Sequence, residues 1–286
     1  MGDLRTRMDK DMIVRGMAGR TREAYLAQVA GLAKFYRRSP AEITRQEVQG
    51  YLLHLLEERK LSYSTCNQAA HAIRFLHRVT LGRDRAQFCI PAPRVPQRLP
   101  EILSREEIQR LFECATNPKH RALLMIAYGA GLRVSEVVNL QVTDIDSDRM
   151  TIRVEQGKGM KDRYTLLPKR LLTELRHYWS NARPKLLLFP NARDASRPMD
   201  TTSVQRAFYQ AKERAKITKR CGIHGLRHAF ATHMLEAGRD LRTIQLLLGH
   251  GHISTTMRYL QLARGTLAAN VSPLDCLDSP ATPKDS

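Results

Sequence analysis

The chain lacks any C-x-x-C pair. Its five cysteines, Cys66, Cys89, Cys114, Cys221 and Cys276, are odd in number and widely spaced. This excludes a disulfide framework or a cysteine-based zinc site as the organising device, and it suits thiols kept in a reducing compartment. Long apolar runs are also missing: no stretch reaches the roughly 18 consecutive apolar residues of a membrane-spanning helix. The N-terminal MGDLRTRMDKDM has no apolar core of the kind a secretion signal needs. The expectation is a cytoplasmic protein without a membrane segment. Acidic residues are few, 28 against 47 Lys and Arg, for a net charge of +19 over 286 residues. So large an excess favours a polyanionic partner gripped through its phosphates, with nucleic acid the default.

The excess is not confined to one end. Residues 1–100 carry 18 basic and 9 acidic side chains, and the remainder carries 29 and 19. Both halves are therefore basic, as expected of a protein that meets DNA from two sides rather than through a tail. With 42% hydrophobic and 26% charged residues, the chain can bury a substantial core.

Residues 20–81 read as helices. Apolar side chains recur at helical spacing in three sets: Tyr25, Val29, Leu32, Phe35; Val48, Tyr51, Leu52, Leu55; and Ala72, Phe75, Leu76, Val79. A capping box from Thr44 to Glu47 opens the second helix, and Ser64 is the expected start of the third. Next comes FCIPAPRVPQRLPEIL, with four prolines between residues 91 and 100 that cannot donate backbone hydrogen bonds, and it reads as an extended interdomain linker. A second capping box, Ser104 to Glu107, begins a larger domain, in which RALLMIAYGAGL is a buried helix ending in glycines. MTIRVEQGKGMKDRYTLLP alternates on either side of Gly157-Lys158-Gly159 and predicts a β-hairpin. Helical patterns return at about 168–181, 201–215, 225–237 and 240–248. The chain ends in DSPATPKDS, whose composition suits disorder. No internal repeat is present.

The chemistry concentrates in four places. GAGLRVSEVVNL supplies Arg133, and Glu136 one turn later can orient it. The hairpin tip supplies Lys158, with Lys161 as a rival. HGLRHAFATHML places His224 and Arg227 three residues apart on one helical face, and LLGHGHISTTMRY supplies His250 and, nine residues on, Tyr259. A tyrosine hydroxyl, with a pKa of about 10, is a poor nucleophile at neutral pH unless cations share the charge that develops on its target. Phosphoryl transfer asks a protein mainly for positioning and electrostatic stabilisation, and an arginine fork fits two phosphate oxygens. Arg133 and Arg227 suit that clamp, His224 and His250 can donate to the same oxygens or move the tyrosine proton, and Lys158 can protonate the departing sugar oxygen.

Plainer readings exist for each residue. His224, His228, His233, His250 and His252 include an H-x₃-H spacing found in zinc sites, but no glutamate base of the H-E-x-x-H type and no cysteine pair accompany it. His228 and His233 read instead as core residues or as supports for the site. GKGMKDR lacks the spacing of a nucleotide-binding phosphate loop and lies between strands. Neither a metal nor a nucleotide cofactor is expected.

In this order, Arg, Lys, His-x-x-Arg, Gly-His and Tyr, the set resembles that of the tyrosine recombinases, which include phage integrases, Xer-type resolvases and integron integrases. The resemblance runs from residue 20 to about 262. It implies a mainly α fold with a small β-sheet, arranged as a helical core-binding domain (1–86), a proline-rich linker (87–101), a catalytic domain (102–265) and a C-terminal tail (266–286), the two domains forming a C-shaped clamp on DNA. It implies further that Arg133, Lys158, His224, Arg227, His250 and Tyr259 are catalytic. Tyr259 would attack a phosphodiester to form a 3′-phosphotyrosyl link and a free 5′-hydroxyl, and strand exchange would pass through a Holliday junction. The partners implied are double-stranded DNA with paired recombination sites, a homotetramer on that DNA formed from a monomer or weak dimer, and an accessory or partner recombinase. After Tyr259 the pattern loosens, because Gly265 and Pro273 interrupt the short helix with which family members contact a neighbour. A type IB topoisomerase, a DNA-binding protein without chemistry and a metal-dependent nuclease are the competing classes.

Overall fold

The computed structural model describes residues 2–83, 100–155 and 162–260. The hairpin tip with Lys158 and Lys161, most of the proline-rich segment and everything after Leu260 lie outside them. The chain divides into two compact units, Met1–Arg98 and Leu99–Ser286.

The first unit is helical throughout its described residues: α1 (Gly2–Val14), α2 (Gly19–Tyr36), α3 (Arg45–Glu57) and α4 (Tyr63–Phe75), the last running into a π-turn at Leu76–Thr80. The expected capping box at α3 is present in full, with Glu47 N–H donating to the Thr44 hydroxyl and Thr44 N–H to the Glu47 carboxylate. α4 starts earlier than Ser64. Ser62 is the cap, accepting from Thr65 N–H at 3.2 Å, and Ser64 falls inside the first turn. Leu32, Val48, Tyr51, Leu55 and Ile73 meet in one core. The sequence reading does not include α1, because its only apolar stripe is Leu4, Met8 and Met12. That narrow seam suffices to bury Met8 and Met12 against Val29, Ala72 and Leu76.

The second unit contains α5 (Arg105–Glu113), α6 (Pro118–Gly129), α7 (Val134–Asn139), a three-stranded antiparallel sheet, α8 (Lys169–Ala182), α9 (Thr201–Arg214), α10 (His224–Glu236), α11 (Leu241–Leu248) and the short α12 (Ile253–Met257). α6 is its axis. Residues 122–127 are all buried, so the middle of this helix has no polar face, and α5, α7, α8, α9 and α10 all pack on it. The sheet has β1 (Ile145–Asp146), β2 (Thr151–Val154) and β3 (Arg163–Leu166) in that order, with Val154 opposite Arg163 next to the hairpin tip. The architecture is mainly helical with one small sheet, as the resemblance implies.

β3 is inverted relative to its hydropathy. Tyr164 is 61% exposed and Leu166 faces outward, whereas Arg163 and Thr165 face the interior. The Thr165 hydroxyl donates to the Ala130 carbonyl at 2.9 Å, so the buried polar side chain has its partner. Gly131 makes the approach beyond that carbonyl possible. Its φ is +64°, and a Cβ there would lie 2.5 Å from the Phe230 ring of α10. This close contact brings the segment leading to Arg133 against the helix that carries His224 and Arg227. Among the described residues no helix is long and apolar enough to cross a membrane.

Candidate active site

Arg133 is the N-cap of α7. Its backbone N–H donates to one oxygen of Glu136 at 2.8 Å and its guanidinium to the other at 2.7 Å, so the i, i+3 contact expected from the sequence both caps the helix and aims the side chain. Glu136 holds more than Arg133. Arg163 on β3 grips it with two nitrogens at 3.0 and 2.8 Å, and Arg227 on α10 lies 3.7 Å away. Burial raises the carboxylate pKa, but the hydrogen bonds and charge of Arg163, then the bonds from Arg133, outweigh it and hold the pKa at about 2. One carboxylate among three guanidinium groups leaves a formal surplus of two positive charges. At about 4 Å and an effective dielectric of about 20, each unit of surplus attracts a phosphate charge by about 4 kcal/mol.

The three arginines are not equivalent. The Arg133 side chain is 23% exposed and can meet an anion. Arg227 is 1% exposed, and its fork donates to the carbonyls of Gly131 and Leu248, both at 2.7 Å. Burial, then Arg133, lower its pKa to about 10, so it remains charged at neutral pH. Arg163 also donates to the Leu247 carbonyl at 3.1 Å and packs so closely on Gly249 that a Cβ there would lie 2.7 Å from its Cδ. It joins β3, α7 and the end of α11 at one point.

Two histidines expected at the site flank this cluster. His224 opens α10 and is exposed; crowding around its ring, then Arg227 and Arg133, lower its pKa. His250 comes directly after the α11 cap at Gly249, and its Nδ1 lies 2.9 Å from the hydroxyl of buried Thr256. Burial, followed by Arg227, Arg133 and Arg163, pushes its pKa down to about 4. Both rings are therefore neutral near pH 7, acting as hydrogen-bonding groups rather than cations. His233 belongs elsewhere, paired with Tyr128 through a 2.9 Å contact of its Nδ1. Among the described residues no group of His, Cys, Asp or Glu has the arrangement of a metal site.

Tyr259 lies just after α12 and is 3% exposed, its ring packed with Phe230, Ala231, Leu235, Ile244 and Leu248. It stacks on His250 with centroids 6.3 Å apart and planes 12° from parallel. Its hydroxyl is 3.0 Å from Nδ1 of His228. Burial raises the phenol pKa, against the opposing pull of Arg227, Arg133 and Arg258.

The fold thus brings five of the six expected residues, Arg133, Arg227, His224, His250 and Tyr259, into one neighbourhood, and Lys158 lies outside the described residues. It adds Arg163 and Thr256, which the sequence reading does not assign to the site, and of the two readings open for His228, core residue or support for the site, it favours the second. Arg163 is hidden from the sequence because β3 turns its polar positions inward, against its hydropathy. His228 stands four residues after His224 and so on the same helical face. Thr256 has no comparable sequence signal.

Known proteins of one family resemble this chain over most of its length. Residues 101–265 match the model of the phage integrase family, and residues 4–87 match the N-terminal SAM-like domain of phage integrases. An integrase/recombinase of Sinorhizobium fredii, y4qK, is 45% identical over 282 residues, covering 98% of this chain and 91% of its own. The tyrosine recombinase XerA of Thermococcus kodakarensis is 40% identical over 220 residues, covering 74% and 75%. Among solved structures, a XerA recombinase superposes with a TM-score of 0.55 at 27% identity, over 98% of this chain and 99% of that one. The fold also matches the XerH site-specific recombinase bound to its palindromic difH substrate, with a TM-score of 0.72 at 21% identity, over 88% and 79% of the two chains. The chain belongs to the phage integrase family of tyrosine recombinases.

Proposed function

We propose that this recombinase cleaves and rejoins duplex DNA at specific sites, with Tyr259 as nucleophile. The observation that carries the reading is the convergence of Tyr259, His224 and His250 beside Arg133 and Arg227, which with Arg163 surround a buried carboxylate and leave surplus positive charge. Arg133 contacts the non-bridging oxygens of the scissile phosphate. Arg227 stiffens the clamp and adds its charge from within, while His224 and His250 donate hydrogen bonds as the pentavalent state forms. Tyr259 forms a bond to phosphorus as its phenolic proton passes to the neutral imidazole of His224 or His250, the bond to the 5′-oxygen breaks, and Lys158 from the hairpin supplies the proton to that oxygen. The product is a 3′-phosphotyrosyl link, which a 5′-hydroxyl from a second duplex reverses, so strands are exchanged without hydrolysis. Two such exchanges pass through a Holliday junction.

Residues 1–86 and 102–265 then act as two DNA-contacting domains on either side of the 87–101 linker, within a homotetramer on paired sites, in the cytoplasm. Both carry an excess of Lys and Arg over Asp and Glu, which supports that division of labour. An accessory or partner recombinase completes the assembly where the sites demand one.

The test is a nicked suicide substrate carrying DNA from the flanks of the encoding element, incubated in EDTA and resolved on a denaturing gel. Wild type is expected to form a covalent protein–DNA band and Tyr259→Phe none. A band that persists in Tyr259→Phe, or DNA binding with no band from wild type, overturns the assignment. Relaxation of plasmid lacking any recombination site would move the reading to a topoisomerase.

A further inference from the structure

The hydroxyl proposed to attack DNA is turned into the protein. A side chain 3% exposed, packed among Phe230, Ala231, Leu235, Ile244 and Leu248, cannot meet a phosphate held in a duplex, so Tyr259 must leave this position to react. Apolar contacts account for the ring but not for the hydroxyl, because a buried phenol oxygen without a partner is destabilising. The partner is Nδ1 of His228, 3.0 Å away, on the helix that presents His224 and Arg227.

Resting on the reading of Tyr259 as the nucleophile, we propose that His228 is a positioning residue which holds the Tyr259 hydroxyl inside the protein and sets how readily the nucleophile is released to DNA. His228 is itself steadied. The His224 ring meets it edge to face, with centroids 4.6 Å apart, so the ring beside the clamp bears directly on the ring that retains the tyrosine. The charged and titratable groups acting on His228 are His224, Arg227 and Arg258.

A general-base role for the same contact is the obvious rival, and the direction of proton transfer argues against it. Burial first, then those three neighbours, put the His228 pKa at about 4, while burial lifts the phenol above its ordinary value. Moving the proton from Tyr259 to His228 would run strongly uphill, because burial raises the phenol pKa and lowers that of the imidazole. The contact therefore stores a neutral hydroxyl against a neutral imidazole. It keeps the nucleophile protonated and out of water until the site is occupied.

The experiment uses the full-length protein without DNA, treated with tetranitromethane, with nitration of each tyrosine monitored by peptide mass spectrometry. Tyr164, 61% exposed, is the internal reference. Wild-type Tyr259 is expected to react far more slowly than Tyr164. His228→Phe, which keeps a ring but removes the hydrogen-bond partner, should raise the Tyr259 rate about tenfold, the net effect of one hydrogen bond, and leave Tyr164 unchanged. His228→Asn, whose Oδ1 can occupy the place of Nδ1, should stay near wild type. In the suicide-substrate assay at saturating DNA, His228→Phe should form the covalent complex faster than wild type.

Equal nitration of Tyr259 and Tyr164 in wild type overturns the proposal. So does a His228→Phe rate equal to wild type, or a His228→Asn rate equal to that of His228→Phe. Slower covalent complex formation in His228→Phe also overturns it, since His228 would then serve the attack. If nitration behaves as expected and wild type forms no covalent complex, the holding contact stands and the recombinase reading fails.

Discussion

Glu136 is the residue on which the site's electrostatics turn. Its carboxylate neutralises one of three guanidinium groups and orients two of them by direct hydrogen bonds. Because its pKa is lowered on folding, to about 2, its stabilisation is fully present above the unfolded carboxylate value and is lost as pH falls through the folded one. The window is therefore roughly pH 4.5 down to 2, and the amplitude about 3 kcal/mol, at 1.36 kcal/mol per pKa unit. Glu136→Gln should lose that portion of the acid dependence, read from urea denaturation at a series of pH values. It should also be destabilised by about 3 to 5 kcal/mol near neutral pH, because three arginines are left facing one another in a largely buried place. An unchanged pH profile in Glu136→Gln would show that the carboxylate does not carry this linkage.

At the scale of elements, local signals decide most starts and tertiary packing decides the faces. The capping boxes at Thr44 and Ser104 are both formed as the sequence predicts, since each depends only on residues three apart. Ser104→Ala should therefore cost about 1 kcal/mol. Gly131→Ala is expected to cost more, about 3 kcal/mol, because it combines a left-handed φ with overpacking against Phe230 and Leu248. In thermal denaturation the second unit should melt roughly 6 to 12 °C lower in Gly131→Ala and only about 2 to 4 °C lower in Ser104→Ala. Equal shifts in the two variants would sink the ranking.

The same contrast between local signal and tertiary packing explains which features are legible in the sequence. Arg133, His224, Arg227, His250 and Tyr259 can be found as a set because their residue types and order suit the proposed chemistry. Arg163 escapes, because its role depends on β3 turning its polar positions inward, against the alternation by which strands are read. α1 escapes because two buried methionines and one leucine make too narrow a stripe to stand out from its charges. The partner of the Tyr259 hydroxyl is beyond reach as well, since helical spacing places His228 beside His224 but nothing local places Tyr259 against it.

Across the whole molecule, the +19 charge sets how the protein finds DNA and the buried site sets the chemistry done on it, and the two are separable by salt. Each phosphate neutralised by Lys or Arg releases counterions, so log K should fall linearly with log salt. If the two basic halves together make some 6 to 10 phosphate contacts, affinity for DNA lacking any recombination site should drop by about 10³ to 10⁵ between 50 and 200 mM salt. Tyr259→Phe removes one buried hydroxyl, paired with His228, and no charge, so its salt slope should match wild type within error while its covalent product is absent. Fluorescence anisotropy across that salt range measures the slope directly. A shallow slope, corresponding to about 2 or 3 contacts, would mean that one half of the chain carries its charge away from DNA. A slope that changed in Tyr259→Phe would mean that the tyrosine helps to order the DNA-facing surface itself, and the division between a charged gripping surface and a neutral, stored nucleophile would have to be abandoned.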